Sequence, residues 1–401
     1  MRNGVLTGVV GLVLLVLAAL SHLVGVTYGA NVPPPPPVRP AELKELPAEL
    51  RGRLTVVDGM PLLRLQGTPR EMGRQHGRLL RKQVRFLVKE FHEAFALKLV
   101  GEEEMRKWTA KVLPYIPEHY LEEIKGIAEG AGLDEETVLH VNCIIDRLQM
   151  VLCSTVVAAG DATTDGEIYF GRNLDFIGRN VLHRTTVCLV YEPTGKTPLV
   201  SVTWPGLVGV LSAMNSKGVC GATMMIHYGS EAKAGIPYMM MYRDALVAAE
   251  KTEDVAAHFL RSKRTIPNNF TVVDATGTAE VIEYDATLLA RRPASRGAVC
   301  STNHFRSDTL RGIGWDLGVS RYETLDEFLR AEHGKIDYDG VRQALRDTAR
   351  PWYLNVQSMV FLPTKRELHV SVGGKLPAAA QKFVTFDRSA LFGKRPSSPS
   401  K

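Results

Sequence analysis

Residues 153–176, CSTVVAAGDATTDGEIYFGRNLDF, decide how the chain is read. Two β-prone runs flank Thr163-Thr164-Asp165-Gly166, a turn signal, so the stretch reads as a hairpin. A turn centred between Thr164 and Asp165 sets Cys153 across from Phe176, next to Asp175 and within reach of Arg172. One local unit thereby gathers a thiol, a carboxylate and a guanidinium. A nearby arginine favours the thiolate, the reactive form of cysteine, and a carboxylate beside it can orient a base. On geometry alone, a core cysteine near a surface Arg–Asp pair is the commoner arrangement, and both readings stand at this point.

Ahead of the hairpin the pattern is mostly helical. Residues 54–65 alternate like a strand or hairpin that Gly67 ends. Thr68 is a good N-cap and Pro69 suits the first helical position. Leu79, Leu80, Val84, Leu87, Val88, Phe91 and Phe95 recur at helical spacing. Further helices are expected over 102–112, 120–131 and 135–145. Beyond Cys153 strands dominate, over 155–159, 167–173, 186–191, 199–204, 208–212, 219–226, 270–274 and 280–284. A late hairpin pairs 356–362 with 367–372, and helices fit 240–250, 252–262 and 339–347. Runs of strands with grouped helices indicate a layered α+β architecture.

Composition narrows the class. Of 401 residues, 45% are apolar and 23% charged, enough for a substantial core. The net charge of +6 is scattered, with no basic stretch interleaved with aromatics, so a nucleic-acid groove is not expected. A loose affinity for an anionic membrane surface is compatible with it. Arg2 and the apolar run from Val5 to Val26 read as a signal peptide or membrane anchor, since roughly 20 apolar residues cross a bilayer. Pro33–Pro37 reads as a stiff spacer. The expectation is an exported protein, periplasmic or extracellular. Five cysteines and eleven histidines show no Cys-x-x-Cys, His-x-x-x-His or mixed cluster, so no metal site or cofactor is expected. Cys143, Cys188, Cys220 and Cys300 read as packing or disulfide residues.

The hairpin is not alone. Gly67-Thr68-Pro69-Arg70-Glu71-Met72-Gly73-Arg74-Gln75-His76-Gly77, Trp204-Pro205-Gly206, Met214-Asn215, Ser301-Thr302-Asn303-His304-Phe305 and Gly318-Val319-Ser320-Arg321 follow in order. Together with Cys153-Ser154-Thr155 and Gly171-Arg172-Asn173-Leu174-Asp175-Phe176 they resemble the isopenicillin-N acyltransferase-like family. That family is similar to penicillin V acylases, bile salt hydrolases and acid ceramidase. The resemblance covers roughly residues 53–390.

The resemblance implies a four-layer αββα N-terminal-nucleophile hydrolase sandwich. Residues 1–30 would be the signal or anchor, 31–52 a Pro-rich linker and 53–152 a mainly helical prosegment. Residues 153–392 would be the catalytic domain and 393–401 a disordered tail. Cys153 would attack the Leu152 carbonyl and cut the Leu152–Cys153 bond. The freed α-amine, with a reference pKa near 7.7–8.0, could then serve its own thiol as base. By the same resemblance Arg172 would face the thiolate and substrate, and Asp175 would orient the α-amine. Asn269 would donate to the oxyanion, and Arg321 would join Asp175 in a polar network. Met225 falls where some relatives carry Asn. Asn303 and His304 match family features and are read as structural. The implied activity is hydrolysis, or acyl transfer, on a linear N-acyl amide, with the cut prosegment staying bound as partner. An ester or phospholipid hydrolase on the same nucleophile, and a non-catalytic protein retaining the fold, are the rival readings.

Overall fold

The computed structural model describes residues 32–38, 52–148, 151–228 and 232–393. The expected signal or anchor, most of the linker and the last eight residues lie outside that set. Among the described residues no helix is long and apolar enough to cross a membrane. Pro33–Pro37 lies against the domain. Gln83 Nε2 donates to Pro36 O at 3.1 Å, and Val32 and Val38 pack on the core.

In chain order the strands and helices begin with β1 (Arg53–Val57), β2 (Met60–Gly67), α1 (Pro69–Leu79) and α2 (Arg81–Leu87). A π-helix over Val88–Ala96 leads into α3 (Leu97–Val100), α4 (Glu102–Val112), α5 (Glu118–Ala131) and α6 (Glu135–Cys143). The hairpin strands are β3 (Val151–Gly160) and β4 (Gly166–Phe176), followed by β5 (Val187–Pro193), β6 (Leu199–Thr203), β7 (Ser212–Asn215) and β8 (Cys220–Met225). Next come α7 (Tyr238–Ala248), α8 (Thr252–Arg261), β9 (Asn268–Val273), β10 (Ala279–Tyr284), β11 (Leu289–Pro293) and β12 (Ala298–Ser301). The described residues end with α9 (Val319–Ala331), α10 (Tyr338–Thr348), β13 (Asn355–Leu362), β14 (Glu367–Val372), β15 (Val384–Phe386) and α11 (Arg388–Phe392).

The strands form two sheets. Nine run in the order β1-β2-β5-β6-β7-β8-β9-β10-β11 and six in the order β12-β3-β4-β13-β14-β15. All neighbours are antiparallel except β2 and β5. Alternate residues fill the space between the sheets: Val157, Phe170, Met359 and Phe361 meet Val190, Val200, Met214 and Val281. The opposite residues of the six-stranded sheet, such as Val156 and Val360, pack under Leu325 and Leu329 of α9 and Val341 and Leu345 of α10. Helices α7 and α8 cover the outer face of the nine-stranded sheet, where Tyr242 and Phe259 pack at a tilt against Phe270. The layering is the expected αββα sandwich.

Thr68 caps α1 in a capping box with Glu71, and Pro69 stands at its start as expected. The helical run beyond it is one continuous pattern in sequence but three pieces in space, broken at Leu80 and widened into a π-helix from Val88. Residues 208–211 do not form the expected strand, which begins only at Ser212. Val208 N–H donates to Asn142 Oδ1 at 2.8 Å and Val210 N–H to Met239 O at 3.0 Å, so their backbone is spent on loop and helix partners.

The hairpin register also differs from expectation. Cys153 pairs with Leu174, two residues short of Phe176, while Thr155 pairs with Arg172 and Leu152 with Asp175. The connection is wider than a tight turn, and a bulge lies between Ala158 and Gly160. A two-residue slip keeps every side chain on its face, which is why the predicted neighbours survive it.

Candidate active site

Strand β3 carries Cys153 and β4 carries Arg172, both facing the space between the sheets. Cys153 is fully buried, and Arg172 Nη2 lies 3.2 Å from its Sγ. The guanidinium is itself gripped: Nη2 also donates to Thr223 O at 3.1 Å and Nη1 donates to Ser212 Oγ. A planar donor held at three points presents a fixed charge to the sulfur. Burial pushes the Cys153 thiol above its ordinary pKa; Arg172 and Arg321 pull it back, and the Asp175 carboxylate adds to the rise. The net effect of these opposing influences is a rise, which favours the neutral thiol.

The backbone of Cys153 is held from the opposite side. Its N–H donates to Asn303 Oδ1 at 2.8 Å, and its carbonyl accepts from Arg321 Nη1 at 2.7 Å. Arg321 Nη2 donates to the same Asn303 Oδ1 at 2.8 Å, closing a ring through N–H, amide and guanidinium. Asn303 Nδ2 donates to Met225 O at 2.7 Å and Val151 O at 3.3 Å. Arg321 comes from the first turn of α9, a helix absent from the sequence expectation, and is 6% exposed.

Asp175 faces outward from β4, away from Sγ. Its Oδ1 accepts from Asn355 Nδ2 at 2.7 Å, and its Oδ2 stands 3.6 Å from Arg321 Nη1 without a hydrogen bond. Burial raises the Asp175 carboxyl against the pull of Arg321, Asn355 and Arg350. Cys153, Arg172, Asp175 and Arg321 thus meet within one shell.

Asn269 is placed differently from its expected role. Both hydrogens of its amide are committed, to Thr302 O and His304 O at 2.9 Å each. These carbonyls flank Asn303, so Asn269 supports the residue that touches Cys153. The sequence shows Asn303 within Ser301-Thr302-Asn303-His304-Phe305, where the expectation is a structural role. The motif was the available signal; the 150-residue separation hid the contact. Met225 offers the site its backbone carbonyl, which accepts from Asn303. All five cysteines are free and buried, so Cys143, Cys188, Cys220 and Cys300 are packing residues. Burial raises the Cys300 thiol to about 12, which disfavours its thiolate.

Comparison with known proteins adds the family. An uncharacterized protein of Archaeoglobus fulgidus is 29% identical over 275 residues, 59% of this chain and 45% of that protein. The chain thus spans less than half of that relative's length. The N-acylethanolamine-hydrolyzing acid amidase of Cavia porcellus is 30% identical over 104 residues, 26% of this chain and 28% of that enzyme. The solved Caenorhabditis elegans ortholog of that amidase aligns at 18% identity and a TM-score of 0.41, over 59% of this chain and 99% of that one. The family described as acyl-coenzyme A:6-aminopenicillanic acid acyl-transferase matches residues 162–364, just over half of the 401 residues. The chain belongs to this acyl-transferase family.

Proposed function

We propose that the chain is a self-cleaving cysteine hydrolase that cuts its own Leu152–Cys153 bond and then hydrolyses linear N-acyl amides through an acyl-Cys153 thioester. One observation carries the reading. Three groups of the same residue are each held by a different side chain: Sγ by Arg172, N–H by Asn303 and C=O by Arg321. A merely packed cysteine has no need of all three.

In the first step Sγ loses its proton and bonds to the Leu152 carbonyl carbon. The C–N bond breaks, and the nitrogen of Cys153 takes up a proton to become an α-amine. Water then hydrolyses the Leu152 thioester, releasing a carboxylate and returning the thiol. In the cut protein the α-amine accepts the thiol proton, an external acyl amide is attacked, and the amine product leaves with that proton. Asn303, whose Nδ2 already reaches Val151 O, is the amide best placed to turn toward the carbonyl oxygen as charge develops there. Asp175, through its unbonded Oδ2, would hold the new ammonium.

Apolar residues of the same core cluster as Cys153, among them Leu174, Phe176 and Trp204, suit an acyl chain. The amide-hydrolysing name of the Cavia porcellus relative points the same way. The apolar run Val5–Val26 supports export, and the shared core supports a cut prosegment that stays bound. The test is intact mass with N-terminal sequencing of purified protein. A fragment beginning at Cys153 is expected from the native chain and none from Cys153→Ala. A Cys153→Ala chain that still splits at this bond would end the proposal.

A further inference from the structure

Asn303 sits in a segment without regular secondary structure, between β12 and α9, so although its side chain bonds to β3 and β8, no strand ladder fixes its backbone. Something else must hold it to a few tenths of an ångström. Strands β9 and β10 supply a candidate. Asn269 and Glu283 are directly paired neighbours across those strands, and both are fully buried. Asn269 donates its two amide hydrogens to the carbonyls on either side of Asn303, Thr302 O and His304 O. Glu283 takes the next stretch by its N–H groups: Arg306 N at 3.0 Å and Ser307 N at 2.8 Å reach Oε2. Arg292 Nε, 3.2 Å from Oε1, balances the charge, and its Nη2 bonds Cys300 O at 2.8 Å just ahead of the loop.

From the far side Gly318 presses so closely that a Cβ there would stand 2.7 Å from Asn303 N. The loop is therefore gripped by carbonyls, by N–H groups and by contact. A buried carboxylate is costly unless fully bonded, so a chain that keeps Glu283 here gains placement from it.

We propose that Asn269 and Glu283 are positioning residues: as a pair they clamp loop 302–307 and, through Asn303, hold the nitrogen of Cys153 in register for bond cleavage. The inference rests on the self-cleavage reading above and adds the residues that aim it. Misplacement by about 1 Å at a reacting group costs on the order of a hundredfold in rate. Glu283→Gln and Asn269→Ala should each slow fragment formation by about tenfold or more. The same substitutions in an Asn303→Ala background should add nothing, because the path runs through Asn303.

Two measurements decide it. One is the rate of fragment formation by mass in the native, single and double variants. Full additivity of Glu283→Gln and Asn303→Ala would overturn the clamp. The other is hydrogen exchange at the residue-153 amide in the uncut Cys153→Ala chain. Glu283→Gln and Asn303→Ala should speed it alike, and exchange unmoved by Glu283→Gln overturns the clamp even if no chain ever cuts. A native chain that stays whole defeats the self-cleavage reading alone. Circular dichroism shows which variants fold; if Glu283→Gln does not, Asn269→Ala carries both measurements.

Discussion

Arg172 is the residue whose removal should tell most about the sulfur. It is wholly buried, it is the largest single influence lowering the Cys153 thiol, and its Nη2 lies 3.2 Å away. A charge-assisted hydrogen bond contributes roughly 1.5–3 kcal/mol, which is about 10- to 150-fold in rate. Arg172→Gln should slow cleavage by that range and move the pH midpoint of Cys153 alkylation upward. Arg172→Lys keeps the charge but loses the fork that also bonds Thr223 O, so it should fall between the two. An alkylation midpoint that stays put in Arg172→Gln would show that the guanidinium does not act on the sulfur. The sequence allowed Cys153, Arg172 and Asp175 to be found together because one hairpin brings them within a few residues. It gives the site role to Asn269 and a structural one to Asn303, and the structure has Asn303 touching Cys153 and Asn269 bonding to the carbonyls beside it. Both are buried amides near strands, and only the packing of the 302–307 loop onto β9 decides which one touches Cys153. Arg321 was chosen by resemblance, while its contact to Cys153 O needed α9 to be placed.

Among the elements, α1 and α5 approach most closely, and four glycines set the distance. A Cβ on Gly73 would stand 2.1 Å from Glu123 O, one on Gly77 2.3 Å from Ile127 O, and one on Gly126 2.4 Å from Arg70 O. The spacing of four within each helix puts these positions on one face, so backbone lies on backbone. Alanine is the better helix former by about 1 kcal/mol, yet here its methyl would meet main-chain atoms that cannot turn aside. Gly126→Ala should destabilise the protein by about 1–3 kcal/mol, read as a lower denaturation midpoint. A higher midpoint would mean that the helices separate freely. The Gly67–Gly77 motif was visible in sequence as a glycine-rich helix start, but its partner Gly126-x-x-x-Gly130 was not, because a pairing across helices leaves no local mark. The capped start of α1 was legible, and α4, β9, β13 and β14 fall within a residue or two of expectation. Short strands without alternation, β11, β12 and β15, were not. They form because neighbours already in the sheet offer free hydrogen-bonding edges.

At the scale of the whole molecule the segment ahead of Cys153 and the segment after it form one body. Strands β1 and β2 extend the nine-stranded sheet through β5, and Arg243 of α7 meets Glu123 of α5 in a buried ion pair at 2.8 Å. His76 of α1 belongs to the same junction, where its Nε2 accepts from Gly206 N–H at 2.9 Å. Complete burial, reinforced by the Arg243 charge, drops this imidazole from 6.5 to about 3. As pH falls below 6.5 the unfolded chain binds a proton that the folded protein refuses, so stability drops by about 1.4 kcal/mol per pH unit until about pH 3. Asp146, on the short turn Ile144–Asp146 ahead of β3, works in the opposite sense. Burial raises it from 3.8 to about 7 despite its bond from Thr265 Oγ1, so the folded protein takes its proton first and gains stability between pH 7 and 3.8. The two slopes nearly cancel in the native chain, and each is exposed only by removing the other. His76→Gln can still accept from Gly206 N–H but does not titrate. Measured by denaturant unfolding, its stability relative to the native chain should rise by about 2 kcal/mol between pH 6.5 and 4.5. Asp146→Asn should move the other way over the same interval. A His76→Gln difference that is the same at both pH values would mean that the imidazole is protonated inside the fold, and the junction would have to open to let the proton in.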